Sequence, residues 1–463
     1  MYESIVAEYL EFELPHRMNR DLGDLELPKP EAHNPVLSII GVRRCGKTFT
    51  LYQLIDELRG SGVPRKRILY FDFDDDRLDL DSPTCASDVL DAYYKLVPEA
   101  RDGCYLFLDE IQEVARWQSF VRRVSEHGKV TMVISGSSSK LLSTDIPTEL
   151  RGRSLSHRMW PLSFAEYCRF HDVNVESHSG VFSKRVSDGL ENAFEDYLSR
   201  GGFPAVQDMT PLARTQMLQA YAEQVVTRDV IERFGTVQYR VARRLARNAL
   251  RSTGLSFSVN KQVKNMRSLG ISVGTEKAYA LLDDLEDAHL VFWVGDYNLS
   301  VRDNPRSVQK AYAVDPGLAL AVAPASHLDV GQRLETVVFL ELKRRYGMNR
   351  EGVIASYHAE DVPEVDFVVG DASLEEQYLL VQVAEDIGDK RGDKMQRARY
   401  RREVGSLEAA MRRCGLARAT IVTLEQEASI DTELGSIEVV PAWKWCLQEG
   451  LSQNAPSAPL NSK

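Results

Sequence analysis

A glycine-rich loop between an apolar segment and an amphipathic one constrains the fold of this chain more than any other feature. The apolar residues Val36 to Ile40 precede the loop, and apolar residues at helical spacing follow it from Phe49 to Leu58. The loop, Gly41 to Thr48, fits G-x-x-x-x-G-K-[ST], a pattern in which backbone N–H groups surround phosphates. The sequence therefore predicts a strand, a phosphate-binding loop and a helix.

This loop supplies the first candidate ligands for ATP. Lys47 is a candidate catalytic residue because its charge can meet the β- and γ-phosphates, and the Thr48 hydroxyl is a candidate Mg²⁺ ligand. An ordinary glycine turn before a helix is the alternative, although a chance match in a chain this long is on the order of one or two in a hundred. The full set of nucleotide-binding candidates is Gly41, Arg43, Arg44, Cys45, Gly46, Lys47, Thr48 and Phe49.

Two acidic residues end a later predicted strand, Cys104 to Leu108. Asp109 is positioned to hold the magnesium ion through water, and Glu110 is positioned to polarise the water that attacks the γ-phosphate. Such acid pairs are also common on solvated loops. At this distance after a phosphate-binding loop, the pair favours the second half of an ATP hydrolysis site.

Two further residues are candidates for catalysis. Ser137 or Ser138 follows the predicted strand Val130 to Ser135, where a hydroxyl can orient water or contact the γ-phosphate; a plain turn is the alternative. Arg153 precedes a fifth predicted strand at about residues 156–160. It can stabilise transition-state charge, within one chain or from a neighbouring subunit of a homo-oligomer, or be an ordinary solvated arginine.

A series of short segments follows in a specific order along the chain. They are GVRRCGKT, LFLDEIQEV with Trp117 after it, ISGSSSKLLS, ELRGR, WPLSFAEY, and then Gly201–Pro204, Val314–Gly317 and Arg333–Glu335. This order resembles the AAA-type ATPases of archaea and bacteria that carry a C-terminal domain of unknown function. The resemblance covers nearly the whole chain and implies a parallel sheet with the phosphate-loop strand at its centre and the catalytic acids on a neighbouring strand.

The chain is long enough for several domains, since 463 residues exceed the roughly 100–200 of one domain. We expect an α/β fold with a P-loop parallel-sheet core. The expected parts are the ATPase core at 1–163, a helical lid at 164–235, a winged helix-turn-helix at 236–314, a restriction-nuclease-like α/β domain at 331–449 and a disordered tail at 450–463. In the lid, Arg200 or Arg228 could face the nucleotide, with a surface role as the alternative.

Charge is distributed unevenly along the chain. The formal net charge of −11 argues against nucleic-acid or anionic-membrane binding over the whole surface. Between Arg233 and Lys277, however, the chain contains ten basic residues and a single acidic residue, Glu276. This stretch predicts either a DNA-binding winged helix, whose basic residues neutralise phosphates, or a winged helix that docks a partner.

The last third of the chain has the layout of a PD-(D/E)xK nuclease. Glu335 lies on a predicted helix and Asp366 on a predicted strand, and such carboxylates hold Mg²⁺ while a lysine positions water. The next strand carries Gln382–Ala384 in place of E-x-K. We therefore expect a nuclease-like domain that is inactive, with Lys390 or Lys394 as alternative sources of the amine.

Cysteine spacing and hydropathy bear on the compartment. The six cysteines form no C-x-x-C pair, and no apolar run approaches the roughly 20 residues of a membrane span. These features predict a cytoplasmic protein with no membrane partner. The expected function is Mg²⁺-dependent ATP hydrolysis coupled to conformational change in the C-terminal half. The alternatives are a slowly hydrolysing, nucleotide-gated regulatory or defence protein, or an ATP-dependent nuclease.

Overall fold

Three β-sheets organise the protein. The computed structural model describes residues 2–15, 18–23, 25–136, 154–231, 239–297, 309–323, 329–346, 354–359, 362–371 and 376–448. The sheets have five, three and six strands and follow one another along the chain. None of the helices in these ranges is both long enough and apolar enough to cross a bilayer.

The first sheet is parallel and has the strand order β2-β3-β4-β1-β5. Strands β1, β3 and β4 are buried along their whole length, as is typical of a parallel sheet covered by helices on both faces. The elements of this part are α1 (Tyr2–Glu11), β1 (Val36–Ile40), α2 (Lys47–Gly60), β2 (Ile68–Asp72), α3 (Cys85–Leu96), β3 (Cys104–Asp109), α4 (Trp117–His127), β4 (Val130–Ser135) and β5 (Ser154–Arg158).

The strand order corrects one expectation. Strand β1 is an interior strand with β4 on one side and β5 on the other, but β4, and not β1 as predicted, is the central strand. The acid-bearing strand β3 is not its neighbour, because β4 lies between them. This arrangement places the end of β4, at Ser135, between the phosphate-binding loop and Asp109.

Helices follow the first sheet, as the sequence predicts. They are α5 (Phe164–Phe170), α6 (Lys184–Arg200) and α7 (Pro211–Val225), which continues into a π-helical segment, Val226–Ile231. The interruption after α6 is a docking point. A Cβ at Gly202 would lie 2.4 Å from the Leu162 carbonyl oxygen, and the Gly202 N–H donates to Asp315 Oδ2 at 2.5 Å. The close approach of the Leu162 backbone therefore leaves no room for a side chain at Gly202.

The second sheet is antiparallel and has the order β6-β8-β7. The predicted helices and strands of this region are present, and the sequence did not indicate the short strand β6. The elements are α8 (Tyr239–Arg251), β6 (Leu255–Phe257), α9 (Val259–Ser268), α10 (Thr275–Asp287), β7 (Val291–Val294), β8 (Gln309–Ala313) and α11 (Pro316–Val322).

The third sheet is mixed and has the order β13-β14-β12-β11-β10-β9. The predicted strand that carries Asp366 and the next predicted strand are present as β10 and β11, which pair antiparallel, and β11, β12 and β14 are parallel. The elements are α12 (Val330–Tyr346), β9 (Ile354–Ala359), β10 (Val362–Asp371), β11 (Glu376–Val383), α13 (Lys394–Tyr400), α14 (Ser406–Cys414), β12 (Arg418–Thr423), β13 (Ala428–Asp431), β14 (Ser436–Pro441) and α15 (Ala442–Leu447). The tail at 450–463 lies outside the described residues.

Candidate nucleotide-binding site

The glycine-rich loop joins the carboxyl end of β1 to the first turn of α2, as predicted. Its two glycines are required by geometry. A Cβ at Gly41 would lie 2.2 Å from the Met159 carbonyl oxygen, and Gly46 has a φ of 109° in the left-handed region. Arg44 also has a left-handed backbone, with a φ of 66°. The loop therefore turns tightly at the amino end of α2, where unpaired N–H groups favour anions.

The Lys47 side chain lies within the loop. It is buried, and its Nζ donates to the carbonyl oxygens of Gly41 at 3.1 Å and Val42 at 3.3 Å. These neutral acceptors leave the ammonium charge without a carboxylate in contact among the described residues. A phosphate group placed over the loop would supply that negative charge.

Asp109 is the most buried acid of the site, with 1% of its surface exposed. Its carboxylate accepts hydrogen bonds from the Ser135 hydroxyl and, at 3.2 Å, from the hydroxyl of Tyr70. Burial raises the pKa of Asp109, and the hydrogen bonds oppose this rise. Thr48 lies close enough to lower the pKa of Asp109, so the two predicted magnesium ligands are neighbours, and their hydroxyl and carboxylate oxygens are the hard donors that Mg²⁺ prefers.

Glu110 occupies an unusual backbone conformation directly after β3. Its φ of 50° and ψ of 35° are left-handed, which is uncommon for a residue with a side chain. The Gln112 Nε2 donates to Glu110 Oε2 and holds the carboxylate. Strained backbone of this kind is concentrated at functional sites, because the surrounding structure must enforce it. The partly exposed carboxylate is thus held at the mouth of the site.

Asp72 is a third acid of this edge that the sequence analysis did not single out. It ends β2 and pairs in register with Asp109 on β3. Burial, together with the nearby charges of Asp109, Asp74 and Glu110, raises the pKa of Asp72 to about 6. The sequence does indicate Asp72, since this acid ends an apolar strand. The acidic residues Asp74 to Asp76 that follow make Asp72 hard to distinguish from a solvated acidic loop.

Arg20 supports the loop from behind, and no local pattern in the sequence indicated it. The side chain is buried, and its guanidinium donates to the carbonyl oxygens of Cys45 and Trp160, both at 2.7 Å. It also forms a two-pronged ion pair with Glu166, at 2.7 and 3.1 Å. Burial alone would raise the pKa of Glu166, but Arg20 and the hydrogen bonds overcome it and the pKa is lowered.

The remaining loop candidates have different surroundings. Arg44 stacks on the Tyr221 ring, 4.5 Å from its centroid, and donates to Gln224 on α7 at 3.4 Å. It therefore contacts the helices after the core. Phe49 is exposed, and Arg43 is partly exposed. Cys45 is buried, and its carbonyl oxygen accepts a hydrogen bond from Arg20, as described above.

Ser137, Ser138 and Arg153 lie outside the described residues. Ser135, at the end of β4, is the serine of this segment that contacts Asp109 in the described part of the chain. Arg200 forms an ion pair with Asp196 in its own helix, at 3.1 Å, and donates to the Gln207 carbonyl oxygen at 3.3 Å, so these contacts lie among the helices that follow the first sheet.

The second sheet packs close to the loop. The Trp160 ring lies 5.2 Å from the Phe292 ring, and Trp160 follows β5 directly. Glu286 on α10 is nearby, and its Oε1 accepts the Trp293 N–H at 3.3 Å. Burial raises the pKa of Glu286 to about 7. The region around the loop and the second sheet thus contains a partly exposed acid whose pKa is raised.

Comparison with known proteins places this site in a recognised segment. Residues 33–168 match the family model of an AAA domain, a range that runs from before β1 into α5. Residues 191–329 match a domain of unknown function (DUF8612), a range that runs from α6 past α11. The AAA match contains the loop, Asp109 and Glu110.

Relatives of nearly full length exist. The uncharacterized protein MJ1544 of Methanocaldococcus jannaschii is 29% identical over 455 residues, which cover 96% of this chain and 95% of the relative. An uncharacterized protein of Haemophilus influenzae is 29% identical over 349 residues, covering 75% and 82%. Among solved structures, the Walker-type ATPase PABY2304 of Pyrococcus abyssi matches 62% of this chain and 91% of its own, at 14% identity and a TM-score of 0.37.

Proposed function

We propose that this protein binds Mg·ATP at the loop Gly41–Thr48 and hydrolyses it. The observation that carries the proposal is the position of the buried Asp109 carboxylate near Lys47 and Thr48 of the loop, both of which lower its pKa, since two distant segments bring these groups together beside an anion-binding helix end. The match of residues 33–168 to an AAA domain supports the same function. The substrate is ATP and the metal is magnesium, in a cytoplasmic protein.

Each residue has a distinct role in this proposal. Lys47 and the loop amides bind the phosphates, while Thr48 and Asp109 hold the magnesium ion, Asp109 through water. Bound magnesium would neutralise charge that develops on the phosphates. Glu110 polarises the attacking water, a role that suits a carboxylate outside the metal's ligand set. Ser137 and Arg153 remain proposed contributors, to water orientation and to transition-state charge.

Steady-state phosphate release tests the hydrolysis. Glu110→Gln keeps the size of the side chain and removes the base, so we expect turnover to fall by roughly 100-fold or more with nucleotide binding retained. Glu113→Gln is the matched control, because Glu113 also contacts Gln112, at 3.2 Å. Equal turnover of the wild type and Glu110→Gln would instead support the slowly hydrolysing, nucleotide-gated alternative.

Arg153 acting between subunits would require a homo-oligomer. Mixing Arg153→Ala protein with Lys47→Ala protein then creates some sites with both residues intact. We expect the mixture to recover part of the turnover that each variant lacks. No recovery in the mixture would assign Arg153 to its own chain or to no catalytic role.

A second candidate function is nucleic-acid binding through a winged helix formed by α8 to β8. The surface of α8 favours it: Arg240, Arg244 and Arg247 are exposed at helical spacing, while Arg243 pairs with Glu223 at 2.8 Å. The mutual repulsion of such arginines is relieved by phosphates. The first turn of α10, by contrast, offers few residues for reading bases.

Salt dependence tests this second function. Each phosphate contact contributes about 0.9 to the slope of log affinity against log salt concentration. Charge reversal at Arg240, Arg244 and Arg247 should therefore lower the slope for DNA by about 2–3, whereas reversal at the exposed Lys184 and Arg185 should not. An unchanged slope in the triple variant would leave the partner-docking interpretation.

A further inference from the structure

Three carboxylates converge where the second and third sheets meet. Glu335 lies on α12, and Glu364 and Asp366 lie on β10. Lys310, on β8 of the second sheet, points into this cluster. Its Nζ lies 3.0 Å from Glu335 Oε1, 3.0 Å from Asp366 Oδ1 and 2.8 Å from Glu364 Oε1. The lysine side chain is 10% exposed, so the ammonium group has exchanged water for carboxylates.

The two inner carboxylates are held by further donors. The Tyr312 hydroxyl donates to Glu335 Oε1 at 2.6 Å, and the Val383 N–H donates to Asp366 Oδ2 at 2.9 Å. Burial alone would lower the pKa of Lys310, but the nearby acids, Asp366 first, raise it, so the ammonium stays charged. The cluster is therefore a fixed cage around a single cation.

Gln382, on β11, occupies the position where the E-x-K motif of a nuclease would have its glutamate. Its Oε1 accepts the Asp366 N–H at 3.2 Å, and its Nε2 donates to Glu403 Oε2 at 2.9 Å. A glutamate here would lose the second bond and face the Glu403 charge. Lys390 and Lys394 are exposed, and in the described part of the chain neither contacts Glu335 or Asp366.

We propose that Lys310 is a built-in counter-ion that takes the place of a divalent metal between Glu335 and Asp366 and fixes β8 against the third sheet. An ammonium group has three donors, and here each of them faces a carboxylate. Metal and lysine cannot share the cage. Within the described ranges no group of three or more His, Cys, Asp or Glu side chains is arranged to hold a metal ion.

Without Lys310, the carboxylates of the cage would carry uncompensated charge. Removal of one partner of a buried ion pair strongly destabilises a protein, because the other partner stays buried without its counter-charge. Removal of Lys310 therefore leaves the acids repelling one another in a partly dry cage. A small cation that enters the cage would relieve this repulsion and, by binding the folded state, raise its stability.

Thermal unfolding with and without Mn²⁺, in the absence of nucleotide, tests the proposal. We expect Lys310→Met to lower Tm by about 5 °C or more and millimolar Mn²⁺ to restore part of the loss. The wild type and Lys444→Met should show no such Mn²⁺ effect. Lys444 is a suitable control because it pairs with a single exposed acid, Glu427, at 2.5 Å.

A second variant covers the case in which Lys310→Met does not fold. Lys310→Met combined with Glu335→Gln and Asp366→Asn removes the charge imbalance, so it should fold with a Tm near that of the wild type and ignore Mn²⁺. Failure of this triple variant to fold would overturn the proposal. So would a Tm of Lys310→Met equal to that of Lys444→Met, or a loss that Mn²⁺ does not reverse.

Two results with the wild-type protein would also contradict the proposal. A Tm increase with Mn²⁺ in the wild type as large as in Lys310→Met would mean that metal enters beside the lysine. Mg²⁺-dependent DNA cleavage by the wild type that Asp366→Ala abolishes would mean the same. The proposal does not depend on ATP hydrolysis, because neither measurement includes nucleotide.

Discussion

Replacement of Arg20 by methionine should damage the phosphate-binding loop without touching a nucleotide contact. The Arg20 guanidinium makes two hydrogen bonds to the carbonyl oxygens of Cys45 and Trp160 and two to Glu166, all within a buried environment. Methionine fills similar space but donates nothing. The variant leaves the Glu166 carboxylate buried without its partner.

The size of the effect follows from these contacts. Loss of one partner of a buried ion pair costs about 3–5 kcal/mol, which corresponds to a Tm decrease of roughly 10 °C for a domain of this size. The loop would also lose the donor that fixes the Cys45 carbonyl oxygen. Since ordering one residue costs about 1–2 kcal/mol, we expect ATP affinity to fall at least about tenfold.

Amide hydrogen exchange of the loop peptide, together with Tm and the Kd for ATP, measures the effect locally. The control is Arg169→Met, because Arg169 pairs with Asp21 beside the same segment but at an exposed position, at 2.6 Å. An exposed pair contributes about 0–1 kcal/mol, so this control should change little. Loop exchange and Kd in Arg20→Met equal to those of the wild type would refute the reasoning.

Three further outcomes follow from the structure. Ser135→Ala removes a donor to the buried Asp109 carboxylate, so the acidic limb of the pH–rate profile should move up by about one pH unit; an unmoved limb would contradict this. Glu286 has a pKa of about 7 folded against 4.5 unfolded, so its charge costs stability as pH rises through this window. The free energy of unfolding of Glu286→Gln, measured with denaturant, should thus exceed that of the wild type by about 2–3 kcal/mol at pH 8 and equal it at pH 4. A difference in this free energy that stays constant with pH would be contrary evidence. Gly202→Ala should lower Tm by several degrees, because its Cβ would meet the Leu162 carbonyl oxygen; an unchanged Tm would argue against that close contact.

Local sequence patterns predict the site residues that directly follow a single apolar strand. The loop before α2 and the acids after β3 each follow an apolar run, and the carboxyl ends of parallel strands meet at one edge of a sheet. Thr48 and Asp109 could therefore be paired from the sequence. The position of β4 between β1 and β3 could not, because strand order depends on packing across the whole sheet.

Contacts between distant segments account for the residues that the sequence analysis missed. Arg20 and Glu166 are 146 residues apart, and each alone resembles an ordinary charged surface residue. Lys310 is similar, since one lysine on a short strand is usually solvated. Ser135 was missed for a smaller reason: the serines after Gly136 were favoured over the last residue of the buried strand.

Retention of labelled ATP by the purified protein tests the central claim most directly. We predict saturable, Mg²⁺-dependent binding that Lys47→Ala reduces by at least about 100-fold, while Lys444→Ala, which removes the partly exposed lysine that pairs with Glu427, binds as the wild type does. Absence of binding by the wild type, or equal binding by Lys47→Ala, would contradict it.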